Sequence, residues 1–115
     1  MIMNGVNMAK TKVDKNDDID FFAAYRKKGF GETMEVLSGF KNSETQQSNF
    51  FNTLKKNQSY LNSFFRVKED LLKCKIIAYK LDAQNEKVIY LTEKGKELFK
   101  RIMEIEDIIQ NPDAN

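Results

Sequence analysis

The apolar residues change period twice between Leu61 and Ile109, and few chains can satisfy that order in one core. At 100° per residue, Leu61, Phe64, Phe65, Leu71 and Leu72 gather on one side of a helix running from Tyr60 to about Cys74. Ser59 is well placed as its N-cap. Ile76–Leu81 is then β-branched and aromatic, and Lys87–Thr92 alternates, with Val88, Tyr90 and Thr92 opposite Ile89 and Leu91. The polar, turn-prone run Asp82–Glu86 between them predicts a hairpin. Thr92 next caps a helix to about Gln110, with Glu93 placing negative charge on its first turn. That helix spans roughly 28 Å at a rise of 1.5 Å per residue.

Upstream, the pattern is helical throughout. Asp17 or Asp18 caps a short helix through Lys28, ended by Gly29 and anchored by Phe22 and Tyr25. A second stretch, Gly31–Ser38, carries Met34 and Leu37 on one side and Gly39 just past its end. With Gly29 and Gly31 at the junction, one broken helix and two helices remain equally open. Ser43-Glu44-Thr45-Gln46 matches a capping box, followed by Gln47, Phe50, Phe51 and Leu54 on one face of a helix to Lys56. The turn at Asn57-Gln58-Ser59 has the length found in a helix-turn-helix. Helix, helix, helix, hairpin, long helix is the order of a winged helix-turn-helix, a mainly α fold with a small β-hairpin as its wing. One domain over residues 17–110 is expected, behind a mobile tail at 1–16 and ending in a dimerisation helix at 92–110. Only Phe40-Lys41-Asn42 is left for the strand usually found between the first two core helices, so that strand is expected to be vestigial.

Composition narrows the chemistry. The 115 residues contain no His, so imidazole bases, His-metal ligands and Ser-His or Cys-His couples are excluded. Cys74 stands alone, which removes intramolecular disulfides and Cys-rich zinc sites and fits a reducing compartment. Acid pairs such as Glu69/Asp70 and Glu104/Glu106 have no converging partner. No enzyme and no cofactor is expected. Apolar stretches such as Ile76–Tyr79 are far short of the ~20 residues of a membrane helix, and no export signal opens the chain. A cytoplasmic, nucleoid-associated protein without membrane contact is the expectation.

The net charge of +2 hides an uneven distribution. From Lys55 to Lys80, seven basic residues face Glu69 and Asp70, a local +5; from Thr92 onward, six acids face four bases, a local −2. A basic middle is either a solvated surface or a footprint for a polyanion. On the third helix, Asn62, Ser63, Arg66, Asp70 and Lys73 form the polar side, with Arg66 at its centre and Glu69 near its border. Lys68 falls among the apolar residues and must snorkel, or the helix bends there. On the last helix, Leu98, Ile102, Ile105 and Ile109 follow a heptad seam that Phe99, Met103 and Ile108 widen. So broad a stripe exceeds what one short domain covers, which points to a second chain. Phe50, Phe51, Phe64 and Phe65 are assigned to the core. Basic neighbours Lys73 and Lys75 would lower the Cys74 thiol pKa, whereas its apolar flanks favour a structural role.

Val88–Leu98 (VIYLTEKGKEL) resembles the "YxLTxKGxxL" junction where the second wing strand enters the last helix in MarR- and PadR-type regulators and small archaeal winged-helix chromatin proteins. Val67–Ile77 (VKEDLLKCKII) is similar to their "LxxLxxxGLI", with Lys75 in place of the usual Gly and Lys68 where an apolar residue is common. The resemblance covers about Gly31–Ile109 and implies a dimer whose third helix enters the DNA major groove while the wing meets the backbone or minor groove. Carried over by position, Tyr60, Asn62, Ser63 and Arg66 face the groove. Lys55, Lys56 and Lys73 are placed for phosphates, and Lys80, Gln84, Asn85 and Lys87 belong to the wing. Leu98, Ile102, Met103, Ile105 and Ile109 form the dimer interface. The function implied is a homodimeric, sequence-specific double-stranded DNA-binding protein, a transcriptional regulator. A winged-helix protein-docking module and a non-specific chromatin protein are the alternatives. No polar cluster identifies a small-molecule effector.

Overall fold

The computed structural model describes residues 20–57 and 61–111, so the 1–16 tail, Asp17, Asp18, Ser59 and Tyr60 lie outside the described residues. Helix α1 (Phe21–Tyr25) starts at Asp20, whose carboxylate accepts from the Ala23 amide at 3.1 Å. Helix α2 (Lys28–Ser38) follows after a two-residue break. Gly29, expected to end the first helix, is instead buried inside the first turn of the second. A 3-10 turn (Lys41–Ser43) then leads to β1 (Glu44–Gln46), α3 (Gln47–Lys56), α4 (Leu61–Lys73), β2 (Ile77–Leu81), β3 (Lys87–Leu91) and α5 (Glu93–Gln110).

The capping box was a misreading. Ser43 and Asn42 have positive φ (56° and 60°), and Glu44–Gln46 pair antiparallel with Val88–Tyr90. The first strand therefore exists, two residues beyond Phe40–Asn42, and α3 begins at Gln46 without a side-chain cap. Pairing across the sheet satisfies backbone groups that a local cap would have satisfied less completely. The sheet order is β1-β3-β2, with Tyr79 opposite Ile89 and Lys80 opposite Val88 in the hairpin. Five helices, the last of them long, and a three-stranded antiparallel sheet make this a winged helix.

The core is one cluster. Phe30, Met34 and Leu37 from α2, Phe50 and Leu54 from α3, and Phe64, Val67 and Leu71 from α4 close over Ile77, Ile89 and Leu91 of the sheet. Helix α4 leaves this core through a Schellman turn: the Lys75 amide donates to Leu72 and the Ile76 amide to Leu71. Lys75 holds the left-handed position at φ 60°, where the related motif carries Gly. The Thr92 hydroxyl donates to the Lys75 carbonyl and accepts from the Gly95 amide at 3.0 Å, tying the start of α5 to that turn. Gly95 belongs to this knot, because a Cβ there would run into the Ile76 carbonyl.

Candidate nucleic-acid interface

The exposed side of α4 is set by how α4 crosses its neighbours. A Cβ on Gly29 would overlap the Ser63 carbonyl, so α2 and α4 touch backbone to backbone. Ser63 is half-buried at that crossing. The Lys27 ammonium, just before α2, spans to the Asp70 carboxylate at 3.2 Å and the Arg66 carbonyl at 3.3 Å. On the opposite flank, Phe65 lies edge-on to Phe51 of α3, with ring centroids 5.8 Å apart.

The exposed residues of α4 are therefore Asn62, Phe65, Arg66, Glu69 and Lys73. Compared with the face expected from the sequence, the exposed row is turned by roughly half of one 100° residue step. Asn62, Arg66 and Lys73 stay outward, Ser63 and Asp70 turn toward α2, and Glu69 joins the row. Phe65, assigned to the core from its spacing, is corrected: it is 49% exposed beside Arg66. The signal for it lay in the pair Gly29 and Ser63, two small residues suited to a close helix crossing, which forces the bulky neighbour of Phe64 to the other flank.

Lys55 and Lys56 are exposed on the last turn of α3, immediately before the turn into α4. Lys68 does snorkel: its stem crosses the half-buried flank and its ammonium stands 5.7 Å from the centroid of Tyr79 on β2. The Lys87 ammonium is 4.3 Å from the same ring. Burial pushes the Tyr79 phenol up, and its hydroxyl is enclosed without a hydrogen-bond partner. Sequence reasoning did not link Lys68, Tyr79 and Lys87, because the link depends on strand register.

Lys80 and Lys87 stand on opposite faces of the hairpin, since Lys87 pairs with Leu81 and Lys80 with Val88. Lys80 is ion-paired with Glu44 at 2.8 Å and lies over Tyr90, an arrangement without a sequence signature because it needs β1. Gln84 and Asn85 are exposed at the tip. The tip is a type I turn closed by Asn85 in the left-handed region (φ 65°). The Asp82 carboxylate accepts from the amides of Gln84 and Glu86, both at 2.9 Å, and from the Gln46 side chain at 3.1 Å. The Glu86 amide, then the Gln46 amide group, hold the Asp82 carboxyl below the usual carboxylate range. A depressed pKa means the order Asp82 imposes is complete above the ordinary carboxylate value and is lost as pH falls through the lowered one. Asp82→Asn should speed amide exchange at Gln84 and Glu86 at neutral pH while leaving α2 amides unchanged.

Helix α5 divides along its length. Leu98, Phe99 and Ile102 pack on the chain's own core, whereas Met103, Ile105, Ile108 and Ile109 are exposed, Ile109 by 76%. Arg101, bridged to Glu97 at 2.8 Å and Glu104 at 3.3 Å, marks the solvent side. Phe22 of α1 is also exposed, at 68%. Burial pushes the Cys74 thiol up, outweighing the nearby Lys94, so the lowering expected from Lys73 and Lys75 does not occur. No helix among the described residues is long and apolar enough to cross a membrane.

No family model and no curated protein matches this sequence. Among solved structures, the chain is similar to the reduced form of the transcriptional regulator YodB from B. subtilis, with a TM-score of 0.58 and 16% sequence identity. The match covers 80% of this chain and 90% of that one.

Proposed function

We propose that this chain is a homodimeric, sequence-specific double-stranded DNA-binding protein, associated with the nucleoid, that regulates transcription. The observation that carries the reading is the outward row of α4, held rigid from behind by buried Phe64, Val67 and Leu71. Arg66 can pair bidentately with guanine O6/N7 and Asn62 with adenine N6/N7, with Ser63 at the edge of the row. Backbone phosphates would repel Glu69, so its place on the row fits base edges, where a carboxylate accepts from the cytosine amine. Lys55, Lys56 and Lys73 serve phosphates, and Lys87, Gln84 and Asn85 bring the wing to the neighbouring backbone. The exposed half of α5, Met103, Ile105 and Ile109, pairs two chains and sets two α4 helices on half-sites about one helical turn apart. That the similar solved structure is a transcriptional regulator supports this reading.

Selection of bound duplexes from a random-sequence pool, then titration at several salt concentrations, tests it. A recovered consensus and a steep fall in affinity with salt are expected. No binding even at low salt would remove the regulator assignment.

A further inference from the structure

We propose that Phe65 is a specificity-determining residue that reads the C5-methyl group of a thymine in the major groove. The proposal rests on the DNA-binding reading above and deepens it. Phe65 is the one large apolar side chain on the exposed side of α4, at the edge of the row nearest α3, one turn from Asn62 and from Glu69 and next in sequence to Arg66. Its ring is not loose. It meets Phe51 at 5.8 Å and Phe64 at 5.6 Å between centroids, and those contacts fix one edge while the other faces solvent.

The Gly29–Ser63 crossing keeps this half-exposed ring on the α3 flank, and folding makes no use of its solvent-facing edge. Burying it would require only the opposite rotation of α4, which the Gly29–Ser63 crossing prevents. On a base-reading row it has a use that no polar residue can supply. Of the four bases, only thymine offers a methyl group to the major groove, and Phe is among the side chains that contact it. A ring already held by Phe51 and Phe64 loses little rotamer freedom on meeting that methyl. Thymine contact by Phe65 beside guanine contact by Arg66 would give neighbouring positions of the half-site complementary chemistry.

Thymine-to-uracil scanning of a duplex selected by the wild-type protein tests this, because uracil differs from thymine only by the missing methyl. One position per half-site should weaken wild-type binding about fourfold on substitution, the equivalent of one buried carbon at ~0.8 kcal/mol. Phe65→Ala should bind the thymine duplex correspondingly more weakly and be indifferent to uracil at that position. Phe65→Leu, which keeps an apolar surface, should retain part of the penalty. The proposal is overturned if no uracil substitution weakens the wild type, or if the penalty persists undiminished in Phe65→Ala. If Phe65→Ala folds poorly, Phe65→Leu carries the comparison, and an undiminished uracil penalty in it overturns the proposal. Failure to select any duplex at all would overturn the regulator reading, and this one with it.

Discussion

Gly29→Ala is expected to destabilise the protein by about 2–3 kcal/mol, although alanine normally favours a helix over glycine by roughly 1 kcal/mol. The reversal follows from the α2–α4 crossing, where the added methyl would overlap the Ser63 carbonyl, a backbone atom that cannot swing aside. The damage should also reach function. Helix α4 can relieve the overlap only by moving off α2, which tilts Asn62 and Arg66 together and loosens the Lys27–Asp70 bridge. Gly31 is the matched control, two residues along the same helix, with nothing within 4 Å of a Cβ there. Gly31→Ala should therefore stabilise by about 0.5–1 kcal/mol and leave DNA affinity unchanged. Denaturant unfolding of the two variants checks the sign directly. Equal effects at both positions would mean the crossing is not as close as described.

The second large effect is expected at α5. Ile105→Lys combined with Ile109→Lys should turn the proposed dimer into a monomer with little change in the folding of each chain, because both side chains are exposed within one chain. In a dimer each buried isoleucine contributes about 1.5–3 kcal/mol, and a lysine in its place brings an unpaired charge instead. A monomer reaches one half-site at a time and loses the effective concentration that linkage provides. Affinity for a two-half-site duplex should then fall 100-fold or more, while affinity for a single half-site stays near its original value. Mass measurement in solution and titration on both duplexes separate these outcomes. By contrast, Leu98→Lys or Ile102→Lys should unfold the chain, since both side chains lie on its own core.

How legible the molecule was in its sequence depended on whether the deciding forces were local. The wing and the final helix were read to within a residue or so, because alternation from Lys87 and the Thr92 cap are local devices that the structure uses unchanged. Ser43–Gln46 satisfied an equally local rule and was misread, because pairing with Val88–Tyr90, more than forty residues away, prevailed. The α4 face was legible only in part. Periodicity placed Asn62, Arg66 and Lys73 outward but could not choose which flank, Ser63 or Phe65, would meet a neighbour; the Gly29 contact makes that choice. The last-helix seam shows the same limit. A heptad pattern marks an apolar stripe, yet it does not say that Leu98 and Ile102 meet the chain's own core while Ile105 and Ile109 extend past it.

If α4 reads bases while the end of α3 holds phosphates, removing one residue from each should change binding in different ways. Arg66→Ala and Lys55→Ala would each be titrated, over a range of salt, on a selected duplex and on a scrambled one of equal length. Arg66→Ala should cost about 1–3 kcal/mol on the selected duplex and almost nothing on the scrambled one. Lys55→Ala should weaken both alike and lower the salt slope by about one unit. If Arg66→Ala left the ratio between the two duplexes unchanged, the outward row of α4 would not be the reading surface.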